Sequence, residues 1–353
     1  MLKKLVVAAV ATLIVGAGAA QAADLTGAGA TFPTPVYSRW AEAYKAKTGI
    51  ALNYQSIGSG AGIKQIKAKT VDFGASDKPL PLDAPAGKDS LNAIGLYQFP
   101  TVVGGIVPVV NIPGVAPGQL KLTGPVLADI YLGNITKWTA PQIARLNPGL
   151  KLPNLPITVV HRSDASGTTF LFTSYLKLVS PTWDKEVGAN DDVKWKVGIG
   201  GAKNDGVAAF VRQTVGSIGY VEYVYSKPSK MTTVLLQNKA GVFVAATAPA
   251  FSAATAGADW SKAPGNFLLL LNQTGPKAWP ITGATFILVY KKQANAAAGA
   301  SVLKFFDWAY KDGDKIASDL DYVPLPPAVK TMIRRQWAAE VTGPDGKSVY
   351  VSH

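Results

Sequence analysis

The 353-residue chain contains no cysteine, which excludes a disulfide framework, thiol catalysis and a lipid-bearing N-terminal Cys. Histidine is almost as scarce. Only His161 and His353 are present, too few for the clustered His and Asp ligands of a metal-dependent hydrolase, and no convincing Ser-His-Asp set assembles around them. His161, just before Arg162 at the end of an apolar run, reads as an ordinary strand-end side chain. A run of basic residues is also missing: the 35 Lys and Arg are spread along the chain, without the basic and aromatic stripe of a nucleic-acid binder. Nucleic acid is therefore not an expected partner. Charged residues make up only 16% of the chain against 48% hydrophobic ones, a balance of well-filled cores and not of disorder. No repeat of solenoid period appears.

What is present begins at the N-terminus. Lys3 and Lys4, the apolar stretch Leu5 to Ala19, and Ala20-Gln21-Ala22 reproduce the charged, apolar and small-residue parts of a secretory signal. A signal peptide over 1–22 is expected, with cleavage after Ala22. A membrane anchor would need about 20 apolar residues, more than this Gly- and Ala-containing stretch offers. No later stretch is long and apolar enough to span, so the mature chain is expected to be soluble, in a bacterial periplasm or at a cell surface. Removing 22 of 353 residues leaves 353 − 22 = 331, more than one core usually organises, so two domains are expected. The formal charge of +13 less the two signal lysines leaves +11, which favours anionic partners by long-range attraction.

Short apolar runs alternate with amphipathic stretches, the pattern of α/β layers. Val36 to Lys47 places Val36, Trp40, Ala43 and Tyr44 on one helical face. Leu52 to Ile57 alternates like a strand, Ile63 to Lys69 is helical, and Phe73 to Ser76 is an extended segment running into Asp77. Val102 to Ile112 is a β-branched run whose Gly104-Gly105 pair implies a bend or close packing. Further on, Ile157 to Val160 predicts a strand, Thr168 to Leu178 and Val207 to Thr214 helices, and Ile218 to Val224 a strand. The Ala-rich segment Asn238 to Asn272 carries no assignable period. Phe286 to Tyr290 predicts a strand, Val302 to Leu320 one amphipathic helix, and Ala328 to Val341 a last helix after Leu325-Pro326-Pro327.

Three polar turns each stand immediately before a helical pattern. They are Gly27-Ala28-Gly29-Ala30-Thr31-Phe32, Gly58-Ser59-Gly60-Ala61-Gly62 and Asp164-Ala165-Ser166-Gly167-Thr168-Thr169. Free N–H groups at a helix start carry partial positive charge, so such a terminus is a ready anion site. Small residues let an anion reach the backbone, and Ser or Thr hydroxyls add donors. Taken singly, each turn reads more readily as an ordinary helix cap. None matches a nucleotide loop: Gly346-Lys347-Ser348 lacks the first glycine of a phosphate loop, and the Gly27/Gly29 and Gly58/Gly60 pairs lack the third glycine of a dinucleotide fingerprint.

Two charged residues sharpen this pattern. Arg162 stands four residues before Ser166, where a guanidinium can offer an oxyanion two parallel hydrogen bonds, with Asp164 near enough to hold it. Asp77 ends a strand, at the edge of an α/β sheet where ligands usually sit. A carboxylate beside an anion repels it unless the anion carries a proton that the carboxylate can accept. The ordinary alternatives are a turn residue before Pro79 for Asp77 and a surface ion pair for Arg162.

The sequence resembles a known family, the periplasmic phosphate-binding protein of the bacterial phosphate ABC importer. Matching stretches include Leu25-Thr-Gly-Ala-Gly-Ala-Thr-Phe-Pro33, Val71-Asp-Phe-Gly-Ala-Ser-Asp77, Gln98-Phe-Pro-Thr101, Asp129-Ile-Tyr-Leu-Gly133 and Asn147-Pro-Gly-Leu-Lys-Leu-Pro153. They continue with Ser166-Gly-Thr168, Gly219-Tyr-Val-Glu-Tyr223, Trp279-Pro-Ile281 and Lys304-Phe-Phe-Asp-Trp-Ala-Tyr310. Matches thin out over 227–256 and 263–276. The resemblance implies a periplasmic binding protein-like α/β fold: two α/β lobes joined by two hinge strands with the ligand in the cleft. Lobe I would comprise 23–110 plus 285–353 and lobe II 111–284, with crossovers near Val110 to Ile112 and Thr285 to Ile287.

By that resemblance the phosphate ligands are Thr31, Phe32 (through its N–H), Ser59, Asp77 as acceptor of the phosphate proton, Arg162, Ser166, Gly167 and Thr168, with Asp164 supporting Arg162. Gly60-Ala61 and Ala165 depart from the family's usual residues at positions where no side chain is a ligand. The implied role is extracytoplasmic capture of inorganic phosphate and its delivery to the membrane permease of an ABC importer, by a monomer, without cofactor or chemical conversion. Two alternatives remain open at this point. One is a receptor for sulfate, molybdate or tungstate, which carry no proton near neutral pH; the other is a secreted phosphomonoesterase.

Overall fold

The computed structural model describes residues 24–351; the expected signal peptide lies outside the described residues. In chain order the first strands are β1 (Leu25–Gly29), β2 (Leu52–Ser56), β3 (Phe73–Ser76) and β4 (Leu96–Asn111). Next come β5 (Lys121–Leu122), β6 (Thr158–Arg162), β7 (Ile199–Gly201), β8 (Ser217–Glu222), β9 (Thr232–Thr233), β10 (Leu235–Gln237) and β11 (Phe243–Ala245). The last two are β12 (Thr282–Tyr290) and β13 (Val323–Pro324). One sheet runs through the molecule in the order β2-β1-β3-β12-β4-β8-β6-β7, and β11-β10-β5 form a small second sheet.

β4 joins the two halves. Its residues up to Gly105 pair antiparallel with β12, and from Ile106 onward they pair with β8. Ile106 N donates to Ile281 O at 2.8 Å, and Trp279 Nε1 donates to Ile106 O at 3.0 Å. Both bonds pin the exchange. The change of partner lies at Gly105–Ile106 and, on the return, at Ile281–Thr282. The glycines explain its place. A Cβ on Gly104 would come within 2.9 Å of the Phe32 ring, and one on Gly105 within 2.1 Å of the Phe251 ring, so only glycine lets both halves close on the strand there.

Within the first half β1, β2 and β3 are parallel, as βαβ units require, and the helices between them cover the sheet. Helix Thr34–Thr48 buries Val36, Tyr37, Trp40 and Tyr44 and ends at Gly49 in the left-handed region, the usual way to stop a helix without a Cβ penalty. In the second half β6 lies parallel to both β8 and β7. The α/β class and the order of elements are as expected, with two differences. The stretch Val302 to Leu320 is two helices, Ala296–Asp312 and Asp314–Asp319, broken at Gly313, whose carbonyl accepts Trp40 Nε1 at 2.9 Å. The Ala-rich segment holds the turn after β10, then β11, helix Ala248–Thr255 and two single 3-10 turns, with Phe251 and Trp260 buried in the core. Among the described residues no helix is long and apolar enough to cross a membrane.

Candidate functional site

Each of the three polar turns sits where a strand hands over to a helix. β1 ends at Gly29 before helix Thr34–Thr48, β2 precedes helix Ser59–Lys67, and β6 precedes helix Gly167–Val179. The first two helices have no side-chain cap, so Thr31 and Ser59 are not spent on the ordinary capping role. Ser166 does cap its helix, accepting from Thr169 N at 3.1 Å, and its own proton stays available to a further acceptor. Thr31, Phe32, Ser59, Asp77, Arg162, Ser166 and Thr168 are all buried. Gly167 and Thr168 belong to the first helical turn, whose N–H groups have no intrahelical acceptor.

The turns meet across the seam between the halves. A Cβ on Gly167 would lie 2.5 Å from Ser59 Oγ and 2.6 Å from Asp77 Oδ2; only hydrogen fits there. Gly60 N donates to Ala165 O at 3.1 Å, joining the second turn to the third. Lys78 Nζ reaches Asn190 Oδ1 at 2.6 Å and Asp191 Oδ1 at 2.7 Å, and Asp191 O in turn accepts Ser166 N at 2.8 Å. The carbonyls of the first turn are tied down by phenols: Tyr225 OH donates to Thr31 O at 2.5 Å and Tyr322 OH to Phe32 O at 2.6 Å. A surface groove of about 860 Å³ bordered by Gly60, Lys78, Ala165 and Asp191 runs beside this seam, outside the enclosed cage.

Arg162 and Asp164 form a bidentate pair, Nε to Oδ1 at 2.7 Å and Nη2 to Oδ2 at 2.5 Å. Burial works to raise the Asp164 pKa, but the guanidinium overrides it and holds the carboxyl below its ordinary value. The pair consumes two of the guanidinium's donor nitrogens and leaves Nη1 buried without a partner. Asp77 shows the complementary feature. It is 1% exposed, and Oδ1 has no hydrogen-bond partner, while Oδ2 lies 3.5 Å from Ser59 Oγ. Burial pushes its pKa up to about 7, opposed by Thr285, Arg162 and Ser59. Thr285 exerts its influence from beyond hydrogen-bond distance, since its Oγ1 is likewise unpartnered.

An acceptor and a donor of opposite charge, both buried and both unsatisfied, cost too much to be incidental. A species that satisfies them presents several acceptor oxygens to the donors and one proton to Asp77. The structure thus brings all nine sequence-predicted residues to one seam. Sequence reasoning missed Thr285 and Asn204. Asn204 Nδ2 donates to Thr31 Oγ1 at 2.8 Å and lies 3.5 Å from Thr168 Oγ1. His161 stacks on Trp195 with ring centroids 4.7 Å apart, and its Nδ1 bonds Arg162 O at 2.9 Å, a supporting place below the strand end. Among the described residues no three His, Cys, Asp or Glu side chains cluster so as to hold a metal.

A donor-lined cage at the seam of two α/β halves that share a strand defines a two-lobed binding fold. The PBP superfamily domain matches residues 15–312. The phosphate-binding protein PstS of Pasteurella multocida (strain Pm70) is 51% identical over 330 residues, covering 94% of this chain and 94% of that one. That of Haemophilus influenzae (strain ATCC 51907 / DSM 11121 / KW20 / Rd) is 51% identical over 322 residues, covering 91% of this chain and 95% of the relative. The chain belongs to the PBP superfamily and, within it, to the family of these phosphate-binding proteins. Among solved structures, a human phosphate binding apolipoprotein superposes with a TM-score of 0.72 at 19% identity, covering 93% of this chain and 99% of that one, a likeness of fold alone.

Proposed function

We propose that this protein captures inorganic phosphate outside the cytoplasm and hands it to the membrane permease of an ABC importer, without altering it chemically. The observation that carries the reading is the pair of buried, unpartnered groups, Asp77 Oδ1 and Arg162 Nη1. Hydrogen phosphate satisfies both, accepting from the guanidinium and giving its proton to the carboxylate. The names of relatives about half identical over nine-tenths of the chain support the same ligand. In this reading Thr31, the Phe32 N–H, Ser59, Arg162, Ser166, Gly167 and Thr168 donate, Asp77 accepts, and Asp164 holds Arg162.

The lobes would be 23–110 plus 285–353 and 111–284, and the change of β4 partner at Gly105–Ile106 supports a division close to the first boundary. Export through the 1–22 signal peptide would place a monomer in the periplasm, with no enzymatic role. Sulfate, molybdate and tungstate are disfavoured because none brings a proton to Asp77. A phosphomonoesterase is disfavoured by relatives that are named as binding proteins.

Calorimetry on phosphate-stripped protein tests the ligand. Phosphate should bind one to one, and sulfate on the order of 10⁴-fold more weakly, as in sites whose buried polar group is left unpaired by the wrong ligand. At a pH well above 7, where Asp77 is ionised, Asp77→Asn should narrow that gap. Tight sulfate binding by the wild type, or a preference unchanged in Asp77→Asn, would overturn the proton-acceptor reading. Turnover of a chromogenic phosphomonoester that survives purification and disappears in Ser166→Ala would revive the hydrolase.

A further inference from the structure

Asn204, fully buried in the first turn of helix Lys203–Gln213, lies where hydroxyls of the two lobes meet. Its Oδ1 accepts Glu222 N at 3.1 Å. A backbone N–H can only donate, so the amide cannot be flipped, and Nδ2 faces the other way. There it donates to Thr31 Oγ1 at 2.8 Å and approaches Thr168 Oγ1 at 3.5 Å. A hydroxyl has a single proton and two lone pairs. With Nδ2 on one lone pair of each, both protons are turned away from the amide, and neither hydroxyl donates to an acceptor among the described residues.

The preceding residue shows that this arrangement is built. Lys203 sits at φ 63, a left-handed conformation that costs a non-glycine residue energy and persists only when its surroundings impose it. Its N–H donates to Asp164 Oδ1 at 2.9 Å. One strained turn therefore holds both the carboxylate that orients Arg162 and the amide that reaches Thr31 and Thr168.

We infer that Asn204 is a positioning residue of the anion site, aiming the hydroxyl protons of Thr31 from one lobe and Thr168 from the other at a single oxyanion. This rests on the phosphate reading and deepens it. Because the bond to Thr31 crosses the seam, the donor array is complete only with the lobes together. With their protons turned from the amide, both hydroxyls are set to donate to the anion, while Asp77 is the carboxylate placed to accept its proton.

A set of variants read by calorimetric titration with inorganic phosphate tests this. Asn204→Ala in the wild-type background should weaken binding on the order of tenfold to a hundredfold, the usual worth of hydrogen bonds to a charged partner. In the Thr31→Val, Thr168→Val background, which has no hydroxyl protons left to aim, the same change should cost less than about twofold. A merely structural Asn204 would disturb Arg162 and Ser59 equally in both backgrounds, so equal losses overturn the inference. If Asn204→Ala fails to fold by circular dichroism, Asn204→Asp in the same two backgrounds decides. Its charge repels the anion in both, so only a loss at least about tenfold smaller in the valine background supports the aiming role, and equal losses overturn it. A wild-type protein that binds no phosphate would sink the receptor reading, and this inference with it, before any variant is compared.

Discussion

Asp77 concentrates the electrostatics of the site in one carboxyl. Water is excluded around it, so its charged form is penalised, and neither Arg162 nor Ser59 fully compensates; the result is a pKa near 7. That value makes selectivity depend on pH with a definite sign. Above pH 7 the carboxyl is ionised and repels an anion that brings no proton. Below it, Asp77 takes a proton from solvent and becomes a donor, which an unprotonated anion accepts readily. Sulfate affinity of the wild type should therefore fall about tenfold per pH unit above pH 7 and level off below about pH 6. Asp77→Asn, a permanent neutral donor, should hold sulfate at the low-pH level throughout. Calorimetric sulfate titrations at four pH values check both slopes, and a wild-type profile as flat as that of the variant would refute the assignment of the titrating group.

At the scale of elements, the site is three helix starts brought to one point, and steric economy decides how near they come. Gly167 is the tightest case, its missing Cβ lying against Ser59 Oγ and Asp77. That contact crosses the seam, so a Cβ is crowded only when the lobes meet on the ligand. Gly167→Ala should therefore leave the melting temperature of the ligand-free protein close to that of the wild type. Phosphate affinity should nonetheless drop by about tenfold to a hundredfold, the cost of an overpacked contact. Thermal melting beside calorimetry separates the two, and a loss of both together would place the damage in the fold. These same helix starts explain how much the sequence reveals. Polar turns before periodic stretches mark Thr31, Ser59 and Ser166, because capping chemistry and anion chemistry use the same small residues. Helix Ser59–Lys67 begins earlier than its period, since Ser59-Gly60-Ala61-Gly62 offers no apolar signal. Asn204 gives no local sign at all, its role being defined by a hydroxyl 173 positions away. The short elements between β10 and Trp279 are fixed by distant partners, β11 by β10, Trp260 by Phe286, and helix Ala248–Thr255 by β4, which no local pattern encodes.

For the molecule as a whole, a cage split between lobes would make binding and closure one event. The lobes share β4 and are otherwise held across the seam by contacts such as Lys78 to Asp191 and Asn204 to Thr31. The partly exposed Lys78–Asp191 pair contributes about 1 kcal/mol or less. A ligand that touches both lobes would add to these contacts and bias the hinge by its differential contacts. Arg162 is the strongest of the second lobe's contacts, because its guanidinium is buried and charged, and removing it leaves an anion held chiefly by Thr31, Phe32 and Ser59 of the first lobe. Arg162→Ala should thus retain weak phosphate binding but lose most of the compaction that phosphate causes. Lys78→Ala, which weakens the seam without touching the cage, should still compact fully at saturating phosphate while releasing the ligand a few-fold faster. Small-angle scattering with and without phosphate, beside stopped-flow release, distinguishes the two variants. Full compaction in Arg162→Ala would mean that the first lobe's ligands alone drive closure and that Arg162 contributes only affinity.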